Sequence, residues 1–293
     1  ITVGSQGFFQ ENGTFAGGSS PVEVNGIFRV GDGTFIAPDT LTVGFENGSA
    51  EPDTRVIFTV GKNAEFVHNN GLITFDPLSG SVTREDTFLV NVPDTFFFYD
   101  VSINCSDYYS PTNFGALDGK DILLKGSLEL VDGVIHGAWK FQRDCLIESG
   151  CDGGTAELVF TGPEDQEYNV YTGAVPLSWV VDKESGSVGP VTGVTYAAAR
   201  DLTIISGMFR APYLGTMELG FVNTADDPDT RVLLSVYGGA SFEHNDCELI
   251  LSPVSGEGSG VDTFVVDGNV ELDLFGLTIN CDDTHNESRI EIG

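Results

Sequence analysis

Basic residues are scarce in this chain, and their scarcity narrows the range of partners. Of 293 residues, 13 are Lys or Arg and 44 are Asp or Glu, which gives a formal net charge of −31. Such a surface repels the phosphates of nucleic acids and of anionic membranes. We therefore expect no nucleic-acid partner. The charge suits a very soluble protein, one surrounded by divalent cations or high salt, or one that meets a cationic partner.

Long apolar runs and helical periodicity are also missing. No stretch of about 18 apolar residues occurs, so we expect no membrane span. The best helical signal is a single turn at 197–200. Short runs rich in Val, Ile, Thr and Phe are instead separated by Gly, Asn, Asp and Pro, and the 37 glycines suit many turns. The sequence predicts an all-β chain.

Known catalytic signatures are absent as well. The chain contains no Gly-x-Ser-x-Gly, His-Glu-x-x-His, phosphate-loop or Gly-x-Gly-x-x-Gly pattern. It also has no Cys-x-x-Cys pair of the kind that holds zinc. We therefore predict that the protein is not an enzyme and has no cofactor, apart from the weak calcium candidate described below.

The dominant positive feature is an internal repeat. Pro52-Asp-Thr-Arg-Val56 returns as Pro228-Asp-Thr-Arg-Val232, an offset of 228 − 52 = 176 positions. The same offset relates Phe66, His68 and Asn69 to Phe242, His244 and Asn245, Asp86-Thr-Phe88 to Asp262-Thr-Phe264, and Ile103-Asn-Cys105 to Ile279-Asn-Cys281. Fixed self-similarity of this kind indicates a duplicated structural unit. The copies span 26–105 and 207–281.

The repeat predicts two domains of one type. About seven short strands per copy, separated by turn signals, are typical of a β-sandwich. We predict two tandem, internally duplicated β-sandwich domains. The first covers 1–165 and has extra strands in its second half, and the second covers 166–293.

A right-handed β-helix is the rival fold. The segment Val270-Glu-Leu-Asp-Leu-Phe-Gly-Leu-Thr-Ile-Asn280 resembles the strand-and-turn pattern of β-helical polysaccharide enzymes. This resemblance covers one short segment and implies a carbohydrate-active protein. A β-helix should also repeat with a period of about 20–30 residues. No such shorter period is visible, so the sandwich is preferred.

The five cysteines predict two disulfides. Cys145 and Cys151 enclose a tight Ser-Gly loop, and Cys247 occurs only in the second copy, where Cys281 is the nearest partner. We expect bridges Cys145–Cys151 and Cys247–Cys281. Cys105 is then left over, either buried and inert or paired between chains.

Four Asn-x-Ser/Thr sequons favour a secreted glycoprotein. They begin at Asn12, Asn47, Asn104 and Asn286, and the chain starts at Ile1 rather than Met, as a processed product would. Asn47 and Asn104 have counterparts in the second copy that are not sequons. We therefore predict that the glycosylated faces of the first copy are exposed. The expected location is extracellular, on a cell surface or on a virion surface.

Repeated polar residues are candidates for sites or for structural roles. His68 and His244 each precede Asn-rich turn chemistry, so we interpret them as turn residues. Arg55 and Arg231 suggest a buried or bidentate ion pair. The carboxylates of Asp226, Asp227 and Asp229 could bind Ca²⁺ through loop oxygens, although the EF-hand spacing is missing.

Two functions remain open at this stage. The first is a non-enzymatic structural subunit of a secreted, glycosylated filament, coat or fibre. Copies of the chain would assemble head to tail, with residues 1–15 of one subunit adding a strand to the second domain of the next. The alternative for residues 1–15 is that they fold back on their own first domain. The second function is a carbohydrate-binding or polysaccharide-degrading protein. Four aromatic residues could then stack on sugar rings, although we interpret them in preference as core or strand residues: Tyr108, Tyr109, Trp139 and Trp179.

Overall fold

The structure is a computed structural model of all 293 residues, and it describes residues 1–48, 52–79, 85–105, 111–222, 230–254, 261–268, 272–281 and 287–293. The described chain is almost entirely β-strand, as predicted, with one short 3₁₀ turn at Leu117–Gly119. Within it, no helix has the length and apolarity that crossing a membrane requires. Two compact units form. The first comprises Ile1–Ala156 with Gly173–Val175, and the second comprises Glu157–Thr172 with Pro176–Gly293.

The described residues of the first unit form sixteen strands. They are β1 Thr2–Val3, β2 Phe8–Gln10, β3 Thr14–Ala16, β4 Val22–Asn25, β5 Phe28–Ile36, β6 Thr40–Glu46, β7 Thr54–Val67, β8 Leu72–Leu78, β9 Thr87–Asn91, β10 Phe97–Phe98, β11 Asp100–Asn104, β12 Asn113–Ala116, β13 Ile122–Leu124, β14 Leu128–Ile135, β15 Ala138–Phe141 and β16 Cys145–Gly154.

Twelve strands lie in the part of the second unit that the structure describes. They are β17 Glu157–Phe160, β18 Gln166–Val170, β19 Ser178–Pro190, β20 Tyr196–Ala199, β21 Asp201–Arg210, β22 Thr216–Leu219, β23 Thr230–Val236, β24 Ser241–Glu243, β25 Glu248–Leu251, β26 Val261–Gly268, β27 Gly276–Ile279 and β28 Glu287–Ile292.

Strand pairing in the first unit is parallel in every described case. One row runs β1–β4–β6–β8–β11–β14–β16. A second row runs β2–β5–β7–β9–β12–β14, with β3 also on β5, and a short row runs β10–β13–β15. Each of these strands therefore pairs with strands two or three places away in the chain, not with the next strand in sequence.

In the second unit most strands pair two or three places along the chain, but β18 pairs with the next strand, β19. One row runs β17–β19–β21–β23–β26–β28, and another runs β20–β22–β25–β27. Its described pairings are again parallel. The prediction of two β-sandwiches is not confirmed, because a sandwich of that type is built from antiparallel, hairpin-connected strands.

The sequence repeat reappears as repeated pairing. In the first copy Thr54 pairs with Thr87, and in the second Thr230 pairs with Thr263, at the same offset of 33 positions. The ladder is also interrupted at equivalent places, between Val56 and Phe58 and between Val232 and Leu234. The duplication therefore preserved the register of the sheet down to its irregularities.

These interruptions explain why the sequence around Val56 is apolar on both faces. An uninterrupted apolar run of this kind is typical of a central strand buried on both sides. In the structure a bulge supplies one extra residue, so that neighbours Ile57 and Phe58 are both buried. Leu233 and Leu234 are buried in the same way in the second copy.

Phenylalanine columns fill the core of the first unit. Phe8, Phe28 and Phe58 occupy paired register positions, with ring centroids 5.3 and 4.8 Å apart and nearly parallel planes. Phe15, Phe35 and Phe66 form a second column at 4.9 and 5.3 Å. Parallel pairing places like residues side by side on neighbouring strands, so each ring packs on the ring of the paired strand.

The second unit has its own aromatic column. Tyr168, Phe209 and Phe242 lie with centroids 5.4 and 6.0 Å apart, and Trp179 packs against Tyr168 at 5.1 Å. Trp139 and Trp179 are both fully buried. The interpretation of the two tryptophans as core residues is therefore confirmed, and they are not available to stack on sugar rings. Tyr108 and Tyr109 lie outside the described residues.

The N-terminal segment folds back on its own unit. β1 pairs with β4, while β2 and β3 both pair with β5. Within the chain, residues 1–15 thus take the fold-back arrangement that the sequence left open as the alternative to strand donation.

The two units and the predicted domains divide the chain at different points. The predicted boundary at 165/166 falls between β17 and β18, both in the second unit. The two units are defined by how the chain packs, whereas the predicted domains concern independent folding. The domain boundary therefore stays a prediction. Repeat copy 26–105 lies in the first unit and copy 207–281 in the second.

Candidate functional site

No disulfide joins any of the five cysteines, all of which lie in described regions of the chain, so the disulfide prediction is corrected. Cys145 and Cys151 belong to one strand, β16, whose pairing with β14 replaces the expected tight loop. Cys247 precedes β25 and Cys281 follows β27, at opposite ends of two parallel strands. Four residues of strand separate those ends by about 13 Å, too far for a bridge.

Four of the five thiols are buried, and Cys281 is half-buried. Cys105 is fully buried, which raises its pKa well above the usual value and keeps the thiol away from other chains. Burial also raises the pKa of Cys145, and it raises the pKa values of Cys151 and Cys247 to about 11. A thiol that is both buried and protonated is a poor nucleophile and a poor metal ligand.

The sequon asparagines differ in accessibility. Asn12 is exposed, but Asn47 is buried and its Nδ2 donates to Asp86 Oδ1 at 2.8 Å. Asn104 Nδ2 donates to Asp76 Oδ1, also at 2.8 Å. The expectation of an exposed face at Asn47 is therefore wrong, because the nitrogen that would carry the glycan is held inside the fold. Asn286 lies outside the described residues.

The calcium candidates Asp226, Asp227 and Asp229 also lie outside the described residues. Within the regions that the structure describes, no group of three or more His, Cys, Asp or Glu side chains could hold a metal ion.

The repeated histidines are turn residues, as the sequence predicted. Asn69 and Asn70 adopt positive φ angles of 52° and 53°, and Asn245 and Asp246 adopt 52° and 58°. In each turn the histidine Nδ1 accepts a hydrogen bond from the backbone N–H two residues later, at 3.0 Å for His68 and 2.9 Å for His244. Asn and Asp tolerate the left-handed conformation better than other non-glycine residues.

The repeated arginines each form a cation–π contact with a phenylalanine ring. Arg55 lies over Phe45 at 4.7 Å, and Arg231 lies over Phe221 at 5.0 Å. Both phenylalanines are repeat equivalents. Arg55 also forms a half-exposed ion pair with Asp53, at 2.5 Å.

A buried aspartate at the same repeat position was not predicted from the sequence. Asp86 and Asp262 are both fully buried. Asp86 Oδ1 accepts from Asn47 Nδ2 at 2.8 Å and from the Asp53 backbone N–H at 2.7 Å, which ties β9 to the segments before β7. The signal was present in the sequence as the repeated Asp-Thr-Phe, but nothing there distinguishes a buried acid from an exposed one.

In the first unit, His136 belongs to a network of hydrogen-bonded polar side chains. Its Nε2 lies 2.8 Å from Asn113 Oδ1, and its Nδ1 lies 2.9 Å from Thr155 Oγ1. Asn113 Nδ2 donates to Glu85 Oε2 at 3.2 Å, so Asn113 Oδ1 must accept from an Nε2–H tautomer. Burial lowers the pKa of His136, opposed by the charge of Glu85. The neutral ring can form a hydrogen bond with each of these two neighbours, so the network has a structural role.

In the second unit, Lys183 also holds neighbouring segments together by hydrogen bonds. It is buried, and its Nζ donates to Glu164 O at 2.7 Å and to Gln166 Oε1 at 2.5 Å, with Thr161 O at 3.5 Å. Burial lowers its pKa, opposed by Asp165 and Glu164. With its three donors committed to acceptors, the amine ties a turn to the sheet and is not placed to react.

An open groove of the first unit lies on the outer face of the row β4–β6–β8, with a volume of about 690 Å³. The strand pairing brings its polar lining residues next to one another. Glu23 pairs with Thr42, Asn25 pairs with Gly44, and Gly44 in turn pairs with Asp76. A side chain at Gly44 would approach Asp76 O to 3.2 Å and Asn25 Oδ1 to 3.5 Å, so glycine keeps the floor open.

The carboxylates of this groove are held by neighbouring amides. Asn25 Nδ2 donates to Glu23 Oε1 at 2.9 Å, and Asn104 Nδ2 donates to Asp76 Oδ1. Desolvation raises the pKa of Asp76, the Asn104 bond lowers it, and the charge of Glu23 raises it further. The groove offers hydroxyl-binding groups arranged along parallel strands but no activated nucleophile.

No family model matches this chain, and no curated protein or solved structure matches it either.

Proposed function

We propose that this chain is a non-enzymatic structural subunit of an extracellular filament, coat or fibre, built from β-helical units that assemble by strand addition between copies. The observation that carries the proposal is the state of the outermost strands. Within the described residues, β1, β2 and β3 of the first unit each pair on one side only, and so do β27 and β28 of the second unit. A strand with one unpaired edge is a template for another chain.

Exposed apolar side chains on the same strands support the proposal. Phe9 in β2 is 56% exposed, and Leu277 and Ile279 in β27 are 39% and 48% exposed. Parallel edge addition would pair their backbones and cover these side chains in one step. Because the two edges belong to different ends of the chain, the contact is heterologous and propagates.

The repeated polar residues support a structural role over a catalytic one. The histidine, arginine and aspartate pairs kept by the duplication serve turns, ring contacts and buried hydrogen bonds. A reactive constellation preserved in both copies would have argued for an enzyme.

The test is polymerisation of the purified chain, followed by light scattering and negative-stain microscopy. We expect filaments from the unmodified chain and none from Leu277→Lys/Ile279→Lys, since lysine on an edge strand opposes pairing. Ile205→Lys is the matched control, because Ile205 is 44% exposed on β21, a strand paired on both sides. A chain that stays monomeric at every concentration, or edge variants that polymerise normally, would refute the proposal.

Carbohydrate binding is a second candidate, favoured by the groove lined by Glu23, Asn25 and Asp76. Its rows of carboxylates and amides suit the hydroxyl groups of a neutral glycan laid across the strands. Gly44→Val would fill the floor. If this candidate is right, that change abolishes retention on a neutral polysaccharide column while leaving the circular dichroism spectrum unchanged.

A further inference from the structure

A second cleft in the first unit has the opposite electrostatic character. It has a volume of about 400 Å³ and lies between the second half of β7 and the segment around β10. Its lining includes Lys62, Lys125, Phe66, Phe96, Phe97 and His68. Two of the chain's five lysines thus meet in one cleft of a protein whose net charge is −31.

Among the residues that the structure describes, both lysines lack the carboxylate partner that Lys120 and Lys140 have. Lys120 pairs with Asp94 at 3.0 Å, and Lys140 pairs with Asp121 at 2.7 Å. Across the described residues, Lys62 and Lys125 form no ion pair, and both are exposed. In so acidic a protein, two unpaired ammonium groups in one cleft are a specific attraction for an anion.

Aromatic rings form the wall beside these ammonium groups. Phe96 packs on Phe66 at 5.1 Å, and Lys125 Nζ lies 5.2 Å from the Phe97 ring centroid. His68 stacks on Tyr99 at 5.3 Å. Burial and the charge of Lys125 lower the pKa of His68, so its ring presents a neutral face to the cleft near pH 7.

From this combination we infer that the cleft binds a carboxylate attached to a ring, with the carboxylate at Lys62 and Lys125 and the ring against Phe96 and Phe97. The ring can be a sugar, as in a uronic acid, or an aromatic ring. Ring faces stack on aromatic side chains, while a carboxylate gains most where cationic groups have no other partner. The volume lies within the range of small-molecule sites.

One carboxylate opposes the ligand. Glu65 lines the same cleft, and its Oε2 accepts a hydrogen bond from Thr34 Oγ1 at 2.9 Å. Removing that charge should strengthen binding, whereas a merely structural role for the cleft predicts no change.

The experiment is calorimetric titration of the full chain with tetragalacturonate, benzoate and, as the neutral probe, maltotetraose. We expect one or both carboxylates to bind and maltotetraose not to bind, and the preferred carboxylate identifies the ring. Lys62→Ala/Lys125→Ala should weaken binding at least tenfold, Lys125→Arg should retain it, and Glu65→Gln should tighten it. Lys140→Ala is the control with a paired lysine and should bind normally.

Three results would overturn the inference. The first is that neither carboxylate binds to a chain whose circular dichroism shows it to be folded. The second is equal binding of maltotetraose, and the third is equal loss of affinity in the Lys140→Ala control. These outcomes do not depend on filament formation, so the inference and the proposed function can fail separately.

Discussion

At the residue scale, the duplicated polar side chains are best understood as supports of the backbone. Asp86 is the clearest case, because its carboxylate receives one side-chain N–H and one backbone N–H inside the fold. Its repeat equivalent Asp262 is equally buried. Duplication retained this acid together with the Thr and Phe that follow it.

Removing that carboxylate should be costly. Asp86→Ala leaves two buried donors without an acceptor, which costs about 3 kcal/mol in the free energy of unfolding. Urea titration followed by the fluorescence of Trp139, the tryptophan of the first unit, measures the loss. Asp94→Ala is the control, since the Asp94 side chain is 81% exposed and should shift stability by less than about 0.5 kcal/mol. Equal effects of the two substitutions would contradict the assignment.

His136 gives the fold a pH dependence of predictable sign. Burial depresses its folded pKa below the ordinary value of 6.5. As the pH falls through 6.5, the unfolded chain therefore binds the proton first, and stability present above that pH is lost. We expect the unfolding free energy to fall between about pH 7 and pH 5, and to fall less steeply in His136→Gln. Parallel pH profiles for the two proteins would show that His136 does not contribute.

At the scale of the strands, the paired bulges decide which side chains face the core. Without the extra residue, Leu233 and Leu234 would point to opposite faces of β23. The bulge turns both inward and leaves Val232 43% exposed.

Two adjacent substitutions test this assignment. Leu233→Ala should lower the unfolding free energy by about 2–5 kcal/mol, because it opens a cavity in a packed core. Val232→Ala should change it by less than about 0.5 kcal/mol. Fluorescence of Trp179 in a urea titration reports on the second unit. If Val232→Ala proved the more damaging change, the bulge would be placed wrongly.

The strands were easier to predict than their partners. Val-, Ile- and Phe-rich runs between Gly and Asn turns indicate strands from local properties alone, and the Asn-rich turns after His68 and His244 were identified in the same way. Pairing depends on which distant segments meet. The interval between paired residues varies from 17 positions (Ile122 with Trp139) to 33 (Thr54 with Thr87), so no fixed short period is visible in the sequence.

The sites were harder still to predict. The bridge between Cys247 and Cys281 was inferred from an alignment of copies, which says nothing about which end of a strand a residue occupies. The cationic cleft unites Lys62 with Lys125, and only the parallel register brings those positions near each other. Burial of Asn47 likewise depends on Asp86, 39 positions later.

At the scale of the whole molecule, the charge of −31 opposes compaction. Like charges repel one another more in the folded chain than in the expanded one, and salt screens this repulsion. Raising sodium chloride from about 0.01 M to about 0.15 M shortens the screening distance from about 30 Å to about 8 Å. We therefore expect the urea midpoint to rise over that range. A midpoint that stays constant or falls would mean that paired surface charges outweigh the net repulsion.

The buried thiols have a consequence for how opening of the chain can be timed. Cys105, Cys145 and Cys151 lie in the first unit and Cys247 in the second, all shielded in the folded state. A thiol-specific label can react with them only when the surrounding strands separate. The labelling rate of each thiol therefore measures how often the strands around it open. Because a parallel ladder is held by its nearest neighbours, mass spectrometry of labelled peptides would reveal whether the strands open successively along the ladder or all together.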